Sequence, residues 1–503
     1  MARLRQWLTL DMVWLAAALA LLALRPLLSA VPPYDFWWHM ATGRVIDATG
    51  SVPRTEIFSW TMAGAPYYNQ PWAAQWLMFK LHALGGLPLL LITQAAVICG
   101  SYGGLLWLGL RRLGDGRRLR RAVAVLLLLV VPASFDNWSI RPQTYAVPLF
   151  VATLAIVTAY RLGWRNRLWL LPPILALWAN VHGSFVLGLG LIGLAWLGEL
   201  ATRLLHLRRP ELVRREGLGW RGLAVLAGWG AASGLATLLN PRGAGLLGYV
   251  SNLVSSPQVA NLVTEWQPTY RTWYGVFFFL LLGVTLWAMW RARPEVDLTD
   301  LLLMLPFIYL GVTAQRNVLW FALVAFMPLL CALTAKAKPI TIAPFQGQPA
   351  LNGVLIGFLG FLVLLSLPWI KVYLPLPPEG GNLLSAETPV GAVPALAALP
   401  PGERPTHLFT ELGMGSYLTW AAPEQKVFID PRFELYPLKL WNDYDAIIAV
   451  AQPELLDSYP IDGVLVSQKT EPELVSYLRG QAGWRELWTG DGLNEVGVLF
   501  VRR

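Results

Sequence analysis

The chain has 503 residues, of which 55% are hydrophobic and only 14% charged, with a formal net charge of +9. Together with a mean hydropathy of +0.49, this excludes an ordinary soluble globular domain and reads as a polytopic membrane protein. The positive charge calls for no nucleic-acid partner, because loop arginines beside anionic lipid account for it.

A bilayer core takes about 20 apolar residues per helix. Candidate spans fall near 11–30, 87–110, 121–136, 143–161, 168–181, 184–204, 221–239, 273–290, 299–314, 317–334 and 351–373, which makes about eleven transmembrane helices. The first is expected to stay as an anchor, since Trp14 to Leu28 is long and VPPYDFWW lacks a small-x-small cleavage pattern. Cys99 and Cys331 both lie in apolar spans, so neither a disulfide framework nor a CxxC metal site is expected.

Basic residues alternate between loops. Arg3 and Arg5 precede the first span, and Arg111, Arg112, Arg117, Arg118, Arg120 and Arg121 follow the second. Arg161, Arg165 and Arg167, the run from Arg203 to Arg221, Arg291 with Arg293, and Lys336 with Lys338 fill every second loop thereafter. The bias predicts a multi-pass protein of the inner (plasma) membrane with a cytoplasmic N-terminus, and an odd span count then places the C-terminus outside the cytoplasm.

Two segments do not read as spans. The first is a large extracytoplasmic loop over 31–86 inside a membrane domain of 1–374. Asp35 follows Pro32 and Pro33 and can cap a helix running through Asp47 to a stop near Gly50. Ile57 to Thr61 is a short β-prone run ending at a Gly64 turn. Trp72 to Leu84 is amphipathic, with Trp72, Trp76 and Phe79 on one face and Gly85-Gly86 at its end. The second segment, 375–503, follows a Pro- and Gly-rich linker. It alternates the strand-like runs KVFID, GVLVS and VGVLFV with helical stretches at 387–399, 438–450 and 471–481, and predicts a small extracytoplasmic α/β domain.

Polar groups at span ends are expensive unless they face protein or water. On the expected outer side these are Asp35, His39, Glu56, Asn69, Gln70, Asp136, Asn137, Arg141, Gln143, Asn180, His182, Asn240, Arg242, Glu265, Arg271, Gln315, Arg316 and Asn317. With Trp37, Trp38, Trp178, Trp266 and Trp273 at similar depth, they predict a wet cavity with aromatic walls. A second cluster, Glu411, Asp430, Arg432 and Glu434, lies in FTELGMGSYLTW and KVFIDPRFELY. Asp430 at a strand end can bind a metal or an acceptor, or simply fix the loop through Arg432. The GxG of LGMGS is too short for a nucleotide-binding loop.

YDFWWHMATGRVI, GSVPRTEIFSWT, QPWAAQWL, RPQ and WANVHGSF, in that order, resemble the membrane enzymes of the GT-C glycosyltransferase superfamily, which include protein O-mannosyltransferases, aminoarabinose transferases and oligosaccharyltransferases. The resemblance covers roughly residues 1–330. The chain lacks the WWDYG-type signature of oligosaccharyltransferases, which argues against transfer of whole oligosaccharides to asparagine. The resemblance implies a polyprenyl-phosphate-linked sugar as donor and an acceptor glycan, lipid or protein, in contact with membrane lipids. It makes Asp35 the first-loop acid, a general base or a ligand for a divalent cation such as Mg or Mn, with Glu56 as second carboxylate. Arg141 and Arg316 would bind the lipid phosphate through their guanidinium groups, and His39, His182 and Glu265 would face donor or acceptor.

Each residue also has a plainer reading. Asp35 can be a helix cap, and the histidines can be packed, hydrogen-bonded side chains. The arginines can snorkel to headgroups, Glu56 can be a solvated loop residue, and the tryptophans an interfacial belt. At the level of the whole protein, the alternative to an enzyme is a non-catalytic GT-C-like scaffold or lipid-binding subunit of a membrane assembly.

Overall fold

The computed structural model describes residues 8–114, 119–255, 262–293, 296–335 and 348–503. Arg3, Arg5, Arg117, Arg118, Lys336 and Lys338, which entered the loop-charge pattern, lie outside the described residues. The chain divides into two compact units. One comprises Met1–Leu27, Ile92–Val250 and Val263–Ser366; the other comprises Leu28–Leu91, Ser251–Leu262 and Leu367–Arg503. The segment that follows the first span and the C-terminal segment therefore belong to one unit.

The first unit is helical, and helices follow every stretch expected to span. Helices suit lipid because each satisfies its own backbone polar groups. Leu10–Leu28, Trp72–Leu113, Pro142–Arg161, Phe185–Arg208 and Gln315–Ala335 are long and apolar enough to cross a membrane, and Leu168–Val181, Gly275–Arg291, Leu298–Thr313 and Pro349–Leu365 are shorter apolar helices. The protein is a multi-pass membrane protein. Two expected spans are modified. The helix from Leu119 turns to π geometry over Leu126–Val130, just before Pro132, whose missing N–H breaks the regular ladder. The last apolar helix ends at Leu365 rather than near 373, because Pro368 disfavours continuation.

Charge is buried inside this unit. The Arg161 guanidinium is fully buried and meets Glu199 at 2.7 Å, Asp297 at 3.2 Å and Asp300 at 3.3 Å. Arg112 pairs with Asp300 at 2.5 Å, and Arg215 pairs with Asp297 at 2.6 Å and with Glu199. Three guanidinium groups thus face three carboxylates, and Asp297 also accepts from the Thr299 N–H as helix cap. This corrects the reading of Arg112, Arg161 and Arg215 as loop charges beside lipid: all three are spent on internal ion pairs.

The second unit is built around a four-stranded sheet in the order β1 (Leu408–Thr410), β2 (Gly463–Ser467), β4 (Gly497–Arg502), β3 (Trp484–Thr489). β1 runs parallel to β2, while β2–β4 and β4–β3 are antiparallel. The pleat sorts the core. Val464, Val466, Val498 and Phe500 face Trp441, Tyr444, Ile447, Leu474, Val475 and Leu478 from the helices Leu438–Ile448 and Pro472–Arg479. Leu465 and Leu499 face the other way, toward Leu396, Met414 and Leu418 of Ala392–Ala398 and Leu412–Ala421. Helices therefore cover both faces, which is why β2 and β4 read as continuous apolar runs.

KVFID is not a strand. Val427 makes only isolated bridges, to Ser59 and to Leu408, because Pro431 cannot donate and the Asp430 carboxylate takes the Arg432 N–H at 3.0 Å, turning the chain. The β-prone run Ile57–Thr61 likewise reaches only a bridge, with Trp60 N–H donating to the Val427 carbonyl at 3.0 Å.

Replacing Arg161 with Met leaves Glu199, Asp297 and Asp300 short of a cation in an apolar interior. Loss of one partner from a buried pair costs about 3–5 kcal/mol. The expected outcome is a large drop in the thermal unfolding temperature of the detergent-solubilised protein, whereas Arg165→Met, in an exposed turn, leaves it unchanged.

Candidate functional site

The helix Tyr34–Thr49 carries the YDFWWH motif. It begins one residue before Asp35, at a Pro33 cap with no side-chain hydrogen bond, so Asp35 lies in the first turn and is not the cap. Its Oδ1 accepts from the Trp38 indole N–H at 3.4 Å, and an acid in the first turn also suits the helix dipole. Gly50 stops the helix in the left-handed conformation, with φ 65° and its N–H on the Ile46 carbonyl.

Nearly the whole face from Phe36 to Thr42 is buried, against a helix the sequence concealed. Leu412–Ala421 contains Gly413 and Gly415, whose bareness permits close packing. A Cβ on Gly413 would press on Pro33 at 3.0 Å, and one on Gly415 would collide with the Thr410 hydroxyl. The Ser416 hydroxyl accepts from the Trp38 backbone N–H at 3.1 Å, and Trp37 stacks on Trp420 with centroids 6.0 Å apart. Trp37 and Trp38 are core residues, 3% and 6% exposed, rather than an interfacial belt.

His39 is buried, and a chain of amides ends on it. Gln75 Nε2 lies 3.0 Å from His39 Nδ1, and Asn69 Nδ2 donates to Gln75 Oε1 at 2.7 Å. Gln75 was not recognised in the sequence, where it reads as one polar residue of an amphipathic helix.

Glu56 does not stand beside Asp35 as a free second carboxylate, nor is it solvated. It is 2% exposed, its Oε1 accepts from the N–H groups of Phe58 at 2.5 Å and Ser59 at 2.6 Å, and its Oε2 lies 2.5 Å from Arg432 Nη1. Arg432 also holds Asp430, through Nε at 2.9 Å and Nη2 at 2.5 Å. The rings of Tyr67, Phe58 and Trp38 surround its guanidinium at 4.9, 5.2 and 5.6 Å. Asp430, Arg432 and Glu56 therefore form a buried tie, and Glu434 is exposed. Among the described residues no group of three or more His, Cys, Asp or Glu side chains could hold a metal ion. No step is assigned to a divalent cation.

Glu411 caps Leu412–Ala421 by accepting from the Met414 N–H at 2.8 Å. Burial, opposed by the Gly413 and Met414 N–H groups and reinforced by Glu471 and Glu387, pushes its carboxyl up to about 7.

The helical unit holds the other predicted residues. Arg141 Nη1 meets Glu265 at 2.5 Å, and the Arg316 guanidinium lies 4.6 Å over the Trp266 ring while donating to Gln143 Oε1 at 3.4 Å. Gln315 Nε2 donates to Asp136 Oδ2 at 2.6 Å. Burial alone would raise the Glu265 carboxyl, but Arg141 and Arg316 outweigh it and hold it below the usual range. Burial, then the charges of Arg316 and Arg141, depress the His182 imidazole well below its ordinary value. His182 Nδ1 lies 2.8 Å from the Ser184 hydroxyl and 3.1 Å from the Ser184 backbone nitrogen. Trp178 is fully buried against Phe150 and Trp320, whereas Trp273 is 67% exposed. The structure thus brings Arg141, His182, Glu265 and Arg316 into one electrostatic cluster. Within it Glu265, expected to face donor or acceptor, is the counter-ion of Arg141.

No family model matches the chain, and no curated protein matches it. Solved structures do. An oligosaccharyltransferase from Archaeoglobus fulgidus, solved with zinc and sulfate, aligns at a TM-score of 0.50 with 12% identity, over 90% of this chain and 68% of that one. The arabinofuranosyltransferase AftD from Mycobacteria aligns at 0.55 with 14% identity, over 99% of this chain and 41% of that one. ArnT from Cupriavidus metallidurans aligns at 0.52 with 13% identity, over 97% of both chains. The chain has the GT-C fold. At these identities the likeness establishes architecture, and the end-to-end alignment with ArnT extends the GT-C resemblance past residue 330 into the sheet-bearing C-terminal segment.

A raised carboxyl is protonated more readily in the folded state than in the unfolded one, so Glu411 contributes stability below about pH 4.5 that is lost as pH rises through about 7. The thermal unfolding temperature should fall across that window, and Glu411→Gln, which keeps an acceptor for the Met414 N–H, should flatten the fall.

Proposed function

We propose that the protein is an inverting membrane glycosyltransferase that moves a sugar from a polyprenyl-phosphate donor to a hydroxyl acceptor outside the cytoplasm. The observation that carries this reading is Asp35: a carboxylate in the first turn of a helix packed on both sides of its Trp-Trp pair, in a chain with the GT-C fold. Glu56, Asp430 and Arg432 are committed to one another, so Glu56 does not share the task of base with Asp35.

Asp35 takes the proton of the acceptor hydroxyl, whose oxygen attacks the anomeric carbon from the face opposite the phosphate. The new C–O bond forms as the bond to the phosphate oxygen breaks, and the leaving phosphate keeps the electron pair. Its charge needs cations. Within the helical unit the charges of Arg141 and Arg25 act on Asp136, and those of Arg141 and Arg316 act on Glu265. Arginine is suited to phosphate through its paired donors.

A scaffold reading retains one supporting observation, the commitment of the second acidic position, Glu56, to a structural ion pair. The two readings separate in cells. If the protein is a transferase, deleting it should make a polyprenyl-phosphate sugar accumulate in the lipid extract, as read by mass spectrometry, and re-expression should clear it. Asp35→Asn should fail to clear it, because loss of a general base costs about 10²–10⁴-fold in rate, while reaching the membrane and unfolding at the wild-type temperature. Clearance by Asp35→Asn at the wild-type level would remove the base from the assignment. A donor pool indifferent to the whole protein would leave the scaffold.

A further inference from the structure

We propose that Gln75 is a positioning residue that fixes His39 as a neutral imidazole with its proton on Nε2. The inference rests on the glycosyltransferase reading only for its purpose, which is to keep a hydrogen-bond donor one helical turn beyond Asp35.

The argument starts from close packing. Gly43, one turn after His39, has no side chain, and a Cβ there would collide with the Gln75 carbonyl and press on Phe79 Cβ at 2.8 Å. The helix carrying YDFWWH therefore lies directly against the backbone at Gln75. That approach puts the Gln75 amide on the imidazole, with Nε2 at 3.0 Å from His39 Nδ1. Gln75 is fully buried, and Asn69 and His39 are each 5% exposed, so water does not offer an easy substitute for these bonds. On the other side the Trp38 ring lies 3.7 Å, centroid to centroid, from the imidazole, which restrains ring rotation.

The direction of the chain follows from its donors. Asn69 Nδ2 donates to Gln75 Oε1 at 2.7 Å, which turns the Gln75 NH2 group toward the ring. An amide N–H needs a lone pair on Nδ1, which a ring protonated there cannot offer. The proton of neutral His39 then sits on Nε2, where it can be donated to an oxygen but cannot be collected from one. His39 is accordingly a donor, and the proton-accepting task stays with the Asp35 carboxylate. This is the arrangement in which a second group sets which nitrogen of a histidine is available.

The test reads the tautomer directly in the full-length protein. The chain has five histidines, so ¹⁵N-histidine spectra in lipid nanodiscs can be assigned by losing one signal pair in His39→Gln. In wild type, His39 Nδ1 should show the unprotonated type of shift and Nε2 the protonated type. Gln75→Glu has the same shape but only acceptor atoms when ionised, so it should move the proton to Nδ1. Asn69→Leu should free the Gln75 amide to turn and give a mixture of tautomers. In the same preparations Gln75→Glu should lower kcat for sugar transfer at least ~10-fold with KM little changed. A wild-type ring protonated on Nδ1, or a Gln75→Glu spectrum identical to wild type, would overturn the proposal. Loss of transfer in Gln75→Glu with the tautomer unmoved would overturn it too. Failure of the glycosyltransferase reading shows itself separately, as absence of transfer in wild type, and leaves the tautomer measurement standing.

Discussion

An ion-pair network of three guanidinium groups with three carboxylates is what allows the helical unit to keep arginines buried. Arg161, with no exposed side-chain surface, joins the end of Pro142–Arg161 to Glu199 in Phe185–Arg208 and to Asp297 and Asp300 at the start of Leu298–Thr313. Arg112, at the end of Trp72–Leu113, joins Asp300 and Asp297. Each charge would be ruinous alone in a low-dielectric surrounding, and the pairing repays the desolvation only if the geometry is held. The network is therefore better evidence for how the helices are aligned than for how stable they are. Lipid-facing apolar surface gives weak instruction about which helix end meets which, since tails and side chains are equally apolar. Three carboxylates spread over two elements and shared among three guanidinium groups give a strong one.

The second unit uses the same device at smaller scale and adds close backbone approach. Arg432 holds Glu56 from the segment after the first helix and Asp430 from the C-terminal segment, with three aromatic rings around it. Parts of the chain more than 350 positions apart are thereby tied by a single guanidinium. Gly413 and Gly415 let Leu412–Ala421 approach the YDFWWH helix, and Gly43 lets that helix approach Gln75. Gly86, at φ 63° and ψ −161° in the middle of Trp72–Leu113, occupies backbone space that a side chain would strain. It breaks the helix there, just ahead of Pro88.

These devices explain which parts of the structure could be read from the sequence. The apolar stretches, the helix stopped at Gly50, and strands β2 and β4 were legible because each depends on a local pattern. β3 was not: WRELWT exposes Arg485 and Glu486 at the sheet edge, and its charges break the apolar run. β1 is three residues long. Leu412–Ala421 was hidden because a glycine that serves packing looks the same as a glycine that serves a turn. Arg161, Arg112 and Arg215 were misread for a related reason. An arginine at a helix end carries the same symbol whether it greets lipid phosphate or a carboxylate from another helix, and Glu199, Asp297 and Asp300 lie far away in sequence. Of the candidate site, Asp35, Arg141 and Arg316 were visible as charged groups at element ends, whereas Gln75 acquires meaning only from the ring it touches.

The two candidate histidines bear on how protons can move. His182 Nδ1 lies against the Ser184 hydroxyl and backbone nitrogen, and on the proposal above His39 Nδ1 receives the Gln75 amide. At His39 that amide occupies the lone pair a general base would need at Nδ1. Near Arg141 and Arg316 a further positive charge on His182 would be unfavourable, in line with its depressed pKa. On the reading proposed above, proton removal falls to Asp35, since Glu56 and Asp430 are paired to Arg432.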